Sequence, residues 1–322
     1  MSFEVKEIGS FHLGGREVDL QGMAKQSIAW SPGMTPVDVD PNGTFHVEQL
    51  YVQYVKLSAP SARFPLLLWH GGGHTGAVWE TTPDGRRGWQ QYFLQAGFDV
   101  YISDAVERGR ASWARYPEVF SSEPIFRSKA EAWEIFRVGT RDGYSDSPAA
   151  RRANDGQQFP VEAFDQFAMH SVPRWVDNDA PTQAAYNALI ERVGPCVVIV
   201  HSQGGNFGFN AALTHPDHVK AVIALEPSGA PRVDDPRIDA ALHIPHLFIW
   251  GDYLDQYPVW CDNIVVSSRR YHEALADKGA ATTWMELPAS GISGNSHMLM
   301  MDKNSDDIAA MISAWLTQVG AC

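Results

Sequence analysis

A serine between a buried strand and a glycine turn, a carboxylate at the end of a later strand, and a histidine in a loop near the end of the chain can together carry out nucleophilic acyl transfer. The sequence presents these groups in that order as Ser202, Glu226 or Asp252, and His297. A serine hydroxyl is a poor nucleophile at neutral pH. It needs an imidazole to take its proton and a carboxylate to fix the tautomer of that imidazole. Among the twelve histidines, His297 is set apart by its place in a loop after the last expected strand, presented by the glycine- and serine-rich residues 288–296. Glu226 follows the expected strand at residues 219–225, and Gly251-Asp252 ends the one at 246–250, with Asp255 close behind. Spacing alone does not choose between the two carboxylates.

The surroundings of Ser202 give it the right exposure. Residues 196–200 are a short, β-branched apolar run, which predicts a strand buried on both faces of a parallel sheet. Gly204 and Gly205 then open a helix over residues 206–213 that stops before Pro216. This is the layout of a nucleophile elbow, in which the tight turn holds the serine clear of the backbone. The helix start offers amide hydrogens to a developing negative charge. The plainer alternative is that Ser202 merely caps the helix. Upstream, residues 65–69 predict another buried strand, running into His70-Gly71-Gly72-Gly73-His74. Three glycines leave the backbone amides unshielded, which suits the second half of an oxyanion-binding loop as well as a flexible turn. His70 and His201 adjoin the loop and the nucleophile, where a supporting role is expected.

The elements that must position these groups follow in alternation. Residues 5–20, interrupted at Gly14-Gly15, and residues 46–57 predict antiparallel strands at a sheet edge, with a loop over 31–43. A helix around Trp89, Tyr92 and Phe93 leads to a strand at 98–104, closing a β-α-β unit. Residues 105–181 break the pattern: they are rich in proline and aromatic rings (Trp113, Phe126, Trp133, Phe136, Phe167 and Trp175 among them) and hold no convincing buried strand. They are read as a lid over the carboxyl ends of the strands, although any one ring is more simply part of the lid's own core. A helix with Thr182 as N-cap and Gly194 as C-cap returns the chain to the central strand. Further on come strands at 219–225, 246–250 and 282–287, a helix closed by Gly279, and a final amphipathic helix carrying Ile308, Met311, Ile312, Trp315 and Leu316 on one stripe. The expected fold is α/β, a mainly parallel central sheet with helices on both faces. Its core is residues 1–104 and 182–322, and its inserted lid is 105–181.

Composition narrows the function. With 322 residues, 44% hydrophobic and 20% charged, the chain has the profile of a soluble globular protein. A formal charge of -13 without a lysine or arginine run offers nothing to nucleic acid and repels anionic membranes. The first fifteen residues lack signal-peptide features, and no run of 18 apolar residues occurs, so a cytoplasmic location is expected. Cys196, Cys261 and Cys322, odd in number and widely spaced, suggest neither disulfides nor zinc. No metal or organic cofactor is expected, because no ligand cluster or phosphate-binding glycine motif is present. The aromatic lid and the negative charge favour a small, mostly neutral, apolar substrate.

His201-Ser202-Gln203-Gly204-Gly205, the stretch Trp-Glu-Thr-Thr-Pro-Asp-Gly-Arg at 79–86, Glu226-Pro227 and Gly294-Asn295-Ser296-His297-Met298 together resemble a small group of bacterial α/β-hydrolases, the Alcaligenes-type esterases. The similarity runs from about residue 52 to the final helix and is weakest in the lid. The resemblance implies the α/β-hydrolase fold, a triad of Ser202, Glu226 and His297, and an oxyanion hole formed by the amides of Gly72 and Gln203. With the eleven tryptophans it also makes a homodimer the expected state, while the three ordered residues and the glycine-rich loop themselves lead to a serine hydrolase that cleaves a carboxylic ester or lactone through an acyl-enzyme. Two positions depart from the pattern. Gly72-Gly73 replaces a pair of adjacent cysteines, and Val200 stands where elbows usually have a small residue, leaving less room for the helix to cross the strand. Rival readings are an amidase or carbon-carbon bond hydrolase with the same triad, and a non-catalytic member of the fold that binds a small ligand.

Overall fold

A computed structural model describes residues 3–113 and 115–322. Ten strands are present among them: β1 (Val5–Leu20), β2 (Gln26–Ile28), β3 (Val37–Val39), β4 (Gly43–Leu57), β5 (Leu66–Trp69), β6 (Val100–Asp104), β7 (Cys196–His201), β8 (Val219–Leu225), β9 (His246–Trp250) and β10 (Thr282–Glu286). Eight of them form one sheet in the order β1-β4-β6-β5-β7-β8-β9-β10. The pairs β1/β4 and β4/β6 are antiparallel, and every pair from β6/β5 to β9/β10 is parallel. The helices are α1 (Trp89–Gln95), α2 (Lys129–Ile135), α3 (Phe164–Ala168), α4 (Asp179–Val193), α5 (Gly204–Thr214), α6 (Val265–Asp277) and α7 (Ser305–Gln318).

The central strands read as unbroken apolar runs because both of their faces are covered. Along β5, Leu66 and Leu68 enter one core cluster while Leu67 and Trp69 enter the other, and β7 divides Val197 and Ile199 from Cys196, Val198 and Val200 in the same way. The period of two sends alternate side chains to opposite layers. Cys196 is fully buried, and burial pushes its thiol up to about 12, so it acts as a small apolar residue.

Three expectations need correction. Gly14-Gly15 does not interrupt β1: both glycines take positive φ (74° and 80°) and the strand runs on against β4. A Cβ on Gly15 would strike the Val47 carbonyl, so glycine permits close pairing here rather than ending it. Within the expected loop at 31–43, Val37–Val39 pairs with Gln26–Ile28 as a small separate hairpin. Finally, α4 begins at Asp179 with Asn178 at its N-cap, not at Thr182, whose hydroxyl instead donates to the Asn178 carbonyl at 2.7 Å. Pro181 sits in the first turn, where a proline lacks no amide that the helix needs.

The segment 105–181 contributes Ala132, Trp133, Phe136, Val138, Phe159, Phe164 and Phe167 to the same core cluster as Leu66, Leu68, Ile199 and Leu225. Most of its rings therefore pack inward, with Phe164 and Phe167 5.9 Å apart and Phe159 5.2 Å from Phe167, whereas Trp113 and Phe126 stay exposed. Backbone bonds stitch the segment to the sheet domain, from Val172 N–H to Gly73 O (2.9 Å) and from Gln158 N–H to Gly294 O (2.7 Å).

Candidate active site

Ser202 follows β7 with φ 51°, in the left-handed region that side chains avoid. Its amide donates to Leu225 O at 3.0 Å, and its carbonyl accepts from the amides of Gly205 and Ser228, each at 2.8 Å. The turn is tight enough to require glycine at both following positions. A Cβ on Gly204 would lie 2.9 Å from His70 O, and one on Gly205 would lie 2.5 Å from Pro227 Cβ. Gly204 and Gly205 belong to α5 itself rather than preceding it. The crowding expected at Val200 is absorbed on the helix. A Cβ on Gly208 would come within 2.7 Å of Val200 Cγ1, so the strand and helix have exchanged the small residue and the crossing stays close.

At the end of the adjacent strand, Glu226 also takes a positive φ, 50°. Its carboxylate is fully buried. Oε2 lies 3.2 Å from His297 Nδ1, while Oε1 accepts from Arg137 Nη2 at 2.6 Å and from the Gly251 amide at 2.5 Å. Burial alone would raise this carboxyl, but the Arg137 charge and the His297 hydrogen bond outweigh it and hold the group at about 2. Gly251 has no room for a side chain, since a Cβ there would sit 2.9 Å from Glu226 Oε1.

Asp252, the other candidate, faces elsewhere. Its Oδ1 accepts from Tyr253 N–H and its Oδ2 from Gly294 N–H, both at 2.7 Å, so it shapes the loop that carries His297. Asp255 is exposed.

His297 is buried, with its amide donating to Phe136 O at 3.0 Å and its ring stacked on Phe136 at 5.6 Å. Trp260 closes the other side at 4.4 Å. Burial lowers the pKa of this imidazole below the ordinary 6.5, against the opposing hydrogen bond and charge of Glu226. His297 is therefore a free base at neutral pH, as a general base must be. The rate of a step that uses it is expected to stay level from neutral pH through 6.5 and to fall only below that value. A kcat/KM profile on a neutral ester checks this, and an acid limb centred above 6.5 would contradict it.

The neighbouring histidines hold fixed neutral tautomers. His201 Nε2 donates to His297 O at 3.0 Å, linking the elbow to the histidine loop, and burial keeps its pKa well below 6.5. His70 donates from Nδ1 to Gly71 O at 2.8 Å and accepts the Ala105 amide at Nε2 at 3.0 Å, with burial holding it at about 4. It thus ties the glycine loop to the start of the inserted segment. Within that loop, a Cβ on Gly71 would lie 2.8 Å from Ser202 Cβ, and one on Gly72 would lie 3.0 Å from Gln203 Oε1. The loop therefore lies directly against the turn that carries Ser202.

Two participants were invisible in the sequence. Arg137 comes from the inserted segment, 0% exposed, with φ 55°, and its Nε donates to Asp252 O at 2.8 Å. Asp302, also fully buried, accepts from Ser296 N–H and Oγ–H and from the Asn295 amide group, and burial raises it to about 7. The Asp84-Gly85-Arg86 turn acts on the same loop, since Arg86 donates to Met301 O at 2.8 Å and Asp302 O at 3.0 Å. Among the described residues, no cluster of three or more His, Cys, Asp or Glu side chains is placed to hold a metal ion.

Residues 65–274 match the family described as the alpha/beta hydrolase fold. The chain is similar to a novel bacterial esterase solved at atomic resolution, with 32% identity, a TM-score of 0.83, and coverage of 99% of this chain and 97% of that one. It is also 26% identical, over 330 residues, to a probable secreted lipase phiG of a fungal species (strain ATCC 74256), covering 85% of this chain and 87% of the relative.

Proposed function

The chain belongs to the alpha/beta hydrolase fold family, and from that premise we propose that it is a carboxylic ester hydrolase of esterase or lipase type in which Ser202 is the nucleophile. The observation that carries this reading is the fully buried Glu226–His297 pair at 3.2 Å, one strand from a serine held at φ 51°. His297 takes the Ser202 proton as the hydroxyl attacks the ester or lactone carbonyl, and Glu226 keeps Nδ1 protonated so that Nε2 is free to accept. The amides of Gly72 and Gln203 receive the oxyanion. Collapse transfers the proton from His297 to the leaving alkoxide and leaves an acyl-enzyme, which water opens by the same steps in reverse order. His74, Phe136 and Phe167, with ring centroids 5.3–5.4 Å apart, give the inserted segment an apolar side beside the glycine loop.

A fluorophosphonate probe is expected to label the native protein at Ser202, with p-nitrophenyl acetate giving a burst of one nitrophenolate per chain. Peptide mapping of the adduct checks the site, and a protein that neither labels nor bursts would refute the acyl-enzyme mechanism.

A further inference from the structure

Arg174, against the glycine loop, and Arg108, within its electrostatic range, make no ion pair among the described residues and share the more distant charge of Asp179. Arg174 lies over Gly72, its Nη1 and Cζ being 3.0 and 3.2 Å from where a Cβ on that glycine would stand, next to Gln203 Oε1. Arg108 is 3% exposed and lies within electrostatic range of Arg174, Asp179 and His70. Among the described residues, neither guanidinium takes part in an ion pair, and Arg174 Nε, Arg108 Nε and Arg108 Nη1 are buried without a hydrogen-bond partner. The nearby acids are committed elsewhere. Asp104 holds Arg110 and the Gly76 amide, Glu107 holds the Glu48 amide and the Ser112 hydroxyl, and Asp179 Oδ1 accepts from Gln203 Nε2 at 3.2 Å. Burial, and then the positive charge of Arg174, hold Arg108 down at about 10.

An unpaired buried guanidinium is costly, and two within range of each other are more so. Neither guanidinium bonds to the Glu226–His297 pair, and the sheet hydrogen bonds do not involve them. Such an arrangement is sustained where an incoming anion supplies the missing charge, and the planar fork of arginine matches a carboxylate two bonds at a time.

We propose that Arg174 and Arg108 form an anion subsite beside Gly72 and Gln203, and that the ester cleaved here carries a carboxylate on its acyl part. This deepens the esterase reading and rests on it. It also departs from the expectation of a mostly neutral substrate, because in a chain of net charge -13 two guanidinium groups with buried nitrogens stand without an ion pair near the serine. The apolar rings and the cationic end together suit a short acyl chain with a terminal carboxylate.

The test compares the 4-nitrophenyl monoester of glutaric acid with 4-nitrophenyl pentanoate, which has the same chain length but no charge. The native enzyme is expected to favour the glutarate ester by about tenfold or more in kcat/KM, and this ratio is expected to fall by a similar factor in Arg174→Gln. Arg174→Gln comes first because Arg174 is the more exposed of the two and the safer to change, and Arg108→Gln, the second variant, is expected to lower the same ratio. In parallel, Ser202→Ala protein is expected to bind glutarate by calorimetry, with at least about tenfold weaker affinity when Arg174→Gln is added.

A native ratio near one, or an Arg174→Gln enzyme slowed equally on both esters, would overturn the subsite while leaving the serine mechanism intact. So would Ser202→Ala protein that binds inorganic phosphate but not glutarate. Conversely, arginine-dependent glutarate binding by a native protein that hydrolyses no ester would uphold the subsite and remove the esterase reading.

Discussion

Ser202→Ala is expected to lower kcat/KM for p-nitrophenyl esters by about 10⁴-fold or more, a loss of at least about 5 kcal/mol of transition-state stabilisation. The substitution removes only the hydroxyl oxygen, and the hydrogen bonds of residue 202 to Leu225, Gly205 and Ser228 are all made by its backbone. Alanine tolerates φ 51° no worse than serine, so the fold and the thermal midpoint should be unchanged. What remains is water attack assisted by the oxyanion amides, slow but measurable. Steady-state kinetics with a stopped assay for contaminating esterase decides the matter, and retention of activity to within tenfold would remove Ser202 from the chemistry.

The second large effect separates the two carboxylates. Glu226→Gln is expected to lower kcat by about 10³–10⁴, whereas Asp252→Asn should change it by less than about tenfold, because Asp252 accepts only backbone amides and an asparagine oxygen can still take one of them. Glutamine at 226 can present an amide hydrogen to His297 Nδ1 and thereby favour the wrong tautomer. It also strips Arg137 of its counter-charge in a site with 0% exposure for both partners, a loss of about 3–5 kcal/mol in folding stability. The two consequences are separable. Glu226→Gln combined with Arg137→Met should recover much of the melting temperature without recovering turnover, since the unpaired charge is gone but the tautomer remains wrong. Full turnover in Glu226→Gln, with a deep loss in Asp252→Asn, would reassign the acid.

The parts of the fold that were legible in the sequence are those with a strong local signal. β8 and β9 stand within the expected bounds, because a strand buried on both faces is apolar along its middle and admits a polar residue such as Lys220 or His246 only near its start. The elbow was legible for the same reason, since Gly204 and Gly205 answer to contacts a few residues away. Choosing between Glu226 and Asp252 was not possible from spacing. Each ends a parallel strand, and what distinguishes them is the direction of a side chain set by φ 50° at Glu226 and by the Gly294 amide at Asp252. Val200 misled for a related reason: the room it takes is returned by Gly208 on the other element, a compensation visible only once strand and helix are superposed. Arg137 gave no signal at all. It is one arginine among many in an irregular segment, and its importance arises from two partners, at positions 226 and 252, that are distant in the chain.

That last feature has a consequence for the order in which the molecule is made. Synthesis delivers residues 105–181 before β7, β8 and β9, so the segment bearing Arg137 emerges while the carboxylate of Glu226 and the carbonyl of Asp252 do not yet exist. Its rings can begin to cluster, but its guanidinium has no place to be buried until the last third of the chain arrives. Burial of that guanidinium and pairing of Glu226 are therefore completed together. A chain released before residue 226 would lack the partner against which Arg137 is buried.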